Sequence, residues 1–474
     1  MKNYAGTALI GALVALGGGC GSSDGGGTGG TGGTGGTGYG GDLCADAGGS
    51  GEVRISAEEI NRDTVLTADC TYVLTRDVYV VDATVTIDPG VTIYGEFKSA
   101  LIITTSGKID AQGTKENPIV MTSSKAPGER LTQDWGGVVL LGKAKLSWGN
   151  APCDGALGEC QANIEGLEPT ENRGIFGGND DTHNCGTMKY VRIEFAGYRF
   201  GADNELNGLS VGGCGSQTEL DYIQIHRGYD DGVEFFGGVA NISHLIVTGA
   251  GDDGLDWDQG FRGTATNVIV HHFAGASSDP RGIEADNFSQ NNNVEPRSNP
   301  TVKYVTLVRT AGEGAAQQGM VLRRGTWGTV DGAVVVGWDE AGVDVRDGGW
   351  YQSGGWPTGL LVENGCFYNN NPSFIEDVDC IEDPGNPGGT TGAEDCNDFN
   401  EAGGDYTDVA NYFPESTNLP AQNNVEEDPG LGDVSGALDG SGTPDYSVTN
   451  ANCMGAFAPD GTDWTVGWTS FPAN

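Results

Sequence analysis

A carboxylate recurs at the third residue of a glycine-led cassette: Glu234, Asp256, Glu284 and Asp344. Asp258 and Asp286 stand two residues after Asp256 and Glu284, and Arg323 takes the same place in a later copy. Asp231 and Asp253 stand directly before cassette glycines, joined by Asp230 and Asp252. Like charges opposite one another on neighbouring strands are destabilising. Such a column therefore needs a bound cation, an arginine partner or shared protons. Oxygen donors with no Cys or His among them suit a hard ion, Ca²⁺ rather than zinc. The expected metal set is Asp231, Glu234, Asp253, Asp256 and Glu284. The expected ligand-binding set is Glu234, Asp256, Asp258, Glu284, Asp286 and Arg323. Arg281, Arg323 and Arg262 are near enough in sequence to neutralise the acids instead, which makes a purely structural ladder the alternative.

The cassettes that carry these residues begin at Gly208, Gly232, Gly254, Gly282, Gly319 and Gly342. Their second and fourth residues are apolar throughout, as in Val233 and Phe235 or Leu255 and Trp257. This period of two marks a strand with one buried face. A second strand family alternates with the first and begins at Tyr190, Tyr222, His244, Asn267, Tyr304 and Gly332. A coil of about 22 residues holding two strands in fixed order is one turn of a β-solenoid. The fold expected is all-β, a right-handed parallel β-helix with an N-terminal cap near Ile55–Ile60 and an irregular acidic C-terminal region. Stacked in register, the third positions read Ser210, Glu234, Asp256, Glu284, Val321 and Asp344, on the outside of the coil.

Composition agrees with this class. The 474 residues include 82 glycines, which punctuate strands and oppose long helices. The formal charge of −42, from 66 acids against 24 bases, excludes nucleic acid as a partner. Cations, cation-bridged polymers and neutral glycans remain. Lys2 followed by the apolar stretch Ala5–Leu16 reads as an export signal, too short to span a bilayer. Small residues then lead to Cys20, the expected lipidation site. The domain plan is a signal peptide over 1–19, a lipidated Cys with a Gly/Thr-rich tether over 20–42, and a parallel β-helix over 43–371. An acidic loop region with an aromatic cap follows over 372–474, in which Trp464, Trp468 and Phe471 would plug the open end of the coil. Ten further cysteines in an exported chain read as five disulfides. Cys153 with Cys160, Cys185 with Cys214 and Cys380 with Cys396 are close enough to pair, although spacing does not fix connectivity.

Several segments carry a family resemblance. They include Asp88-Pro89-Gly90-Val91-Thr92-Ile93, Trp135-Gly136-Gly137-Val138-Val139-Leu140-Leu141-Gly142 and Asp230-Asp231-Gly232-Val233-Glu234-Phe235-Phe236-Gly237-Gly238. Arg281-Gly282-Ile283-Glu284-Ala285-Asp286-Asn287, Met454-Gly455-Ala456-Phe457 and Asp463-Trp464-Thr465-Val466-Gly467-Trp468-Thr469 continue it. From about residue 70 onward the chain resembles a family of bacterial surface lipoproteins with a parallel β-helix. The resemblance implies fold and an outer-membrane or cell-surface location, with the membrane as a partner through the lipid, and says little about chemistry. The function expected is an interaction or glycan-binding module, with Ca²⁺ as its cofactor and a polysaccharide or another surface component as its partner. The alternatives are a Ca²⁺-dependent polysaccharide lyase, with Arg281 or Arg323 abstracting a proton, a glycoside hydrolase using two carboxylates, and a passive surface protein. The Gly-His-Gly and Arg-Ile-Lys segments of β-helix hydrolases are absent, and the five histidines follow no catalytic spacing.

Overall fold

A computed structural model describes residues 39–147, 160–167, 173–201, 204–273, 280–289, 291–292, 294–310, 318–345, 359–371, 373–376, 423–435, 442–457 and 461–473. The expected signal peptide, Cys20, most of the expected tether, Cys153, Cys380 and Cys396 lie outside these residues. A sheet of 27 strands runs through the molecule, and every pairing within it is parallel across successive coils, as in Val233–Phe236 on Leu255–Asp258. This is the right-handed parallel β-helix expected.

Three columns of strands build it, where the sequence suggests two. One column contains the Gly cassettes and runs from Val78–Val80 and Ala100–Ile103 through Gly137–Leu141 and Leu209–Gly212 to Ala341–Val345. The other two merge into single bent strands, such as Glu219–His226, Asn241–Thr248 and Thr264–His272. Each bend falls on the residue that opens the second strand family. Tyr190, Tyr222, His244, Asn267 and Tyr304 have φ between 48° and 57°, and Gly332 has φ 75°. The left-handed residue turns the strand by a corner, so the ladder skips it. The half-strand before each corner is missed by sequence reading because it buries one side chain only: Leu220, Ile242, Ala265 and Val302 each stand between polar neighbours.

The cassette glycines have a steric cause. A Cβ on Gly254 would lie 2.2 Å from Val270 Cγ1 and 2.8 Å from the Gly282 carbonyl oxygen, and Gly208, Gly232, Gly282 and Gly319 meet the next coil's carbonyl in the same way. The glycines let successive coils close on one another, and Leu255 N–H then donates to the Gly282 carbonyl at 3.2 Å. Gly254→Ala is expected to destabilise the fold by about 1–3 kcal/mol, the cost of overpacking a filled interior. Urea unfolding checks this, and an unchanged midpoint would show that the coil spacing relaxes.

The residues at cassette positions two and four, including Phe235, Trp257, Ile283 and Val343, fill the coil interior. The N-terminal end is closed by a single helical turn, Leu43–Asp46, capped by the Asp42 carboxylate and tied by the Cys44–Cys70 disulfide. Ile55 and Ile60 belong to strands of the first coil. At the other end the stack passes residue 371, since Phe374–Glu376 and Val425–Glu426 extend two columns.

The C-terminal aromatic segment corrects one expectation. Trp464, Trp468 and Phe471 do not plug the coil; they lie along its flank, packed on Ile246, Ile269 and Val308 with Tyr190 and Tyr222 beside them. The backbone of this strap is held by outward side chains of the coils. Arg192 donates to the Trp468 carbonyl at 3.3 Å, His226 Nε2 contacts the Pro472 carbonyl oxygen at 2.8 Å, and Asn267 donates to the Ala456 carbonyl at 2.8 Å. Gln224 donates to the Ser470 carbonyl at 2.6 Å and accepts from its N–H at 2.9 Å. A disulfide from Cys453 to Cys366 fixes the start of the strap. Cys185 pairs with Cys214 as expected, and Cys160 is also disulfide-bonded.

Candidate functional site

The acid column is in the register that the cassettes imply. Ser210 pairs with Glu234, Glu234 with Asp256, Asp256 with Glu284, Glu284 with Val321 and Val321 with Asp344. These side chains point away from the coil interior, yet they do not meet open solvent. An outer layer that includes Leu146, Ile164, Leu167, Phe176 and Leu206 packs over the start of this column on Val139 and Leu141. Where it stops, a cleft of about 260 Å³ opens, lined by Asp230, Asp231, Glu234, Asp252, Asp253, Asp256 and Glu284 from the coils and by Glu165 and Glu205 from the outer segments. Glu234 and Glu284 are 7% and 6% exposed, so the column is a buried wall rather than a surface stripe.

Corner residues before the glycines form a second ladder. Asn207 Oδ1 accepts from the Asp231 N–H at 3.2 Å, Asp231 Oδ1 from the Asp253 N–H at 2.9 Å, and Asp253 Oδ1 from the Arg281 N–H at 2.6 Å. One oxygen of each aspartate thus holds the next coil, which leaves the other for the cleft. Asn207 also donates to Glu234 Oε2 at 2.7 Å. Asp256 Oδ1 is buried with no hydrogen-bond partner.

Burial, followed by repulsion from neighbouring acids, pushes the carboxyls of Asp231 and Glu234 well above their ordinary range. Asp253 and Asp256 move the same way for the same leading cause. Asp230 is pushed up to about 8 by burial and by Asp252. At this end of the cleft Arg199 Nε lies 3.0 Å from Glu205 Oε1, and at the other Arg281 Nη1 meets Glu284 and lies 3.7 Å from Asp253 Oδ2. Arg323 also reaches Glu284, and its Nε lies 2.9 Å from Asp286 Oδ1, while Arg324 lies 2.6 Å from Asp286 Oδ2.

The expected residues therefore divide. Asp231, Glu234, Asp253, Asp256 and Glu284 line the cleft together. Asp286 and Arg323 are engaged in the adjoining ion-pair network, and Asp258 accepts from the Gln259 N–H with its carboxyl raised to about 6 by burial; neither acid lines the cleft. Arg262 stands elsewhere, 3.1 Å from Asp181 Oδ2, bracing the outer layer. Glu165, Glu205, Asn207 and Arg324 belong to the site and escape sequence reading: Glu165 and Glu205 lie outside the repeat, and Asn207, which stands before Gly208 as Asp231 stands before Gly232, carries no charge to mark it.

Two triads have ligand oxygens within 4.8 Å of one another: Asp231 with Glu234 and Asp256, and Asp230 with Asp231 and Asp252. Oxygens at that separation fit around one ion at about 2.4 Å from each, the bond length of Ca²⁺. The clusters can hold a hard metal ion by donor type and spacing.

A model of the family described as a pectate-lyase-like β-helix domain matches residues 58–361, well over half of the chain. No curated protein matches. Among solved structures, the periplasmic alginate epimerase AlgG is similar at 11% identity, over 68% of this chain and 74% of that one, with a TM-score of 0.22. A point mutant of AlgG is similar at 10% identity, over 68% and 75%, with a TM-score of 0.22. Overlap at that level carries no functional reading to this chain. Among the described residues no helix is long and apolar enough to cross a membrane.

Proposed function

The chain belongs to the family of pectate-lyase-like β-helix domains, and on that scaffold we propose an exported glycan-binding module whose acidic cleft takes Ca²⁺. One observation carries the cation: the buried Asp256 Oδ1 has no partner, in a cleft whose other walls are carboxylates. A divalent ion supplies that partner and offsets the repulsion that raises Asp231, Glu234 and Asp253. A polymer bearing hydroxyls or carboxylates completes the coordination shell from the open side. Disulfides such as Cys44–Cys70 support an oxidising compartment outside the cytosol. Cys20 is the proposed lipid anchor to the outer membrane or cell surface, and fatty-acid labelling that is lost in Cys20→Ala checks it.

The deciding experiment is thermal unfolding in EDTA and then across a Ca²⁺ titration. An ion that binds only the native state is expected to stabilise it by about 2.7 kcal/mol at a hundred times its Kd. The shift is expected to vanish in the variant that combines Asp231→Asn, Glu234→Gln and Asp256→Asn. No shift in the parent, or a shift that this variant keeps, would sink the cation site and leave a passive surface protein.

The sign of the pH dependence follows from the raised carboxyls. Unfolded carboxyls release their protons near pH 4, whereas Asp230 holds its own to about 8. Between these values the native state binds more protons, so stability in EDTA falls as pH rises through that window. Calcium must displace those protons, so its stabilisation grows from pH 5 to pH 8. A second reading, a polysaccharide lyase, draws on Arg323, which burial and then the neighbouring Arg324 push down to about 10. Cleavage of a polyuronate that Arg323→Lys slows would favour it.

A further inference from the structure

We propose that the turn Glu96–Ser99, braced from beneath by the buried Tyr198 ring, forms a second saccharide subsite, one that takes an acidic sugar residue on the same corner as the cleft. The inference rests on the glycan reading above. Four residues here connect the strand Thr92–Gly95 to Ala100–Ile103. The turn is rigid: Ser99 N–H and Ser99 Oγ both donate to the Glu96 carbonyl, at 3.0 and 2.7 Å. Lys98 is held at φ 63°, a left-handed conformation that costs a non-glycine residue about 1–2 kcal/mol.

That conformation sets three groups together. The Phe97 ring is 62% exposed. It meets the Tyr198 ring edge to face, with centroids 5.1 Å apart and planes at 86°. The Lys98 ammonium stands 5.8 Å from the Phe97 centroid and 5.3 Å from that of Tyr198. Among the described residues this ammonium has no carboxylate partner, in a chain where 66 acids compete for 24 bases. Its neighbour Glu96 is taken by Arg54 at 2.5 Å. A solitary exposed phenylalanine is ordinary on a protein surface. A rigid turn that presents one beside an uncommitted cation is a receptor for a flat ligand with an apolar face and a negative charge. A pyranose carrying a carboxylate has both.

Position gives the subsite its polymer. The pairings Leu101 to Val138, Val138 to Leu209 and Leu209 to Val233 place this turn three coils from the coil of Glu234. At about 4.8 Å per coil the two sites are about 14 Å apart along the stack. The corner between them passes through the turn carrying Leu131, which is 61% exposed. A linear acidic glycan running along this corner engages the ammonium at one end and the cation of the cleft at the other.

The test uses the full chain in Ca²⁺, with a polyuronate and its carboxyl-reduced neutral derivative as probes in affinity electrophoresis. Phe97→Ala is expected to weaken retention by both polymers about tenfold, equivalent to about 1.4 kcal/mol. Lys98→Gln is expected to weaken only retention by the polyuronate. Both variants should keep the parent's Ca²⁺-dependent melting shift. Parent-like retention of both variants would overturn the subsite and leave the glycan reading intact. A parent protein that binds neither polymer overturns the glycan reading and the subsite with it. A melting shift lost in Phe97→Ala would show that the turn supports the fold, and would also overturn the subsite.

Discussion

Arg323→Met is expected to cost about 3 kcal/mol at neutral pH. Arg323 joins Glu284 to Asp286, and both acids are about 6% exposed. Removing one partner of a buried ion pair costs about 3–5 kcal/mol, because the remaining charge has lost both water and partner. The low end applies here, since Arg281 still meets Glu284 and Arg324 still meets Asp286. Denaturant titration at pH 7 measures the loss. A variant as stable as the parent at pH 7 would mean that the arginine is not needed to balance these acids, and would strengthen its candidacy as a base in the lyase reading.

Trp468→Ala is expected to release the strap. Trp468 is 1% exposed, donates to the Trp464 carbonyl at 2.8 Å, and meets Tyr190 and Tyr222 edge to face at 5.6 and 6.0 Å. Truncating a buried tryptophan costs about 3–5 kcal/mol. Here the loss is limited by what the strap itself contributes, because the coils can stay folded once it has left. His226 reports which happens. Burial holds its imidazole down at about 3, against the contact with the Pro472 carbonyl, which acts to raise it. With the strap detached, His226 is expected to titrate near 6.5 while the coil spectrum survives, as proton NMR would show. A His226 still silent at pH 5 in a folded variant would refute the strap's dependence on Trp468.

Much of the site was legible because the β-helix imposes a strict repeat. A glycine that admits no Cβ, two inward apolar residues and one outward residue must recur together, so aligning Gly232, Gly254 and Gly282 aligns Glu234, Asp256 and Glu284 without knowledge of the fold. What lies outside the repeat left no such trace. Glu165 and Glu205 arrive from segments that pack once over the coils. Asn207 takes the corner place of Asp231 one coil earlier, and only its hydrogen bonds to Glu234 and the Asp231 N–H reveal its part. The strap misled for a related reason. Its aromatic residues announce burial, but not whether they bury on the end or the flank of a stack. Cys366 and Cys453 are 87 residues apart, beyond any inference from proximity.

The strap also changes how the molecule yields under tension. A solenoid held only by contacts between adjacent coils comes apart from its ends, one turn at a time. Here a single peptide, riveted by a disulfide at Cys366, crosses the edges of successive turns and is bonded to residues as distant in sequence as Arg192 and Asn267. Turns beneath it share one fastening and cannot be peeled singly. The splinted block must give way together, whereas the turns between Cys70 and Gln112 have no strap across them and the first turns are held by the Cys44–Cys70 disulfide instead.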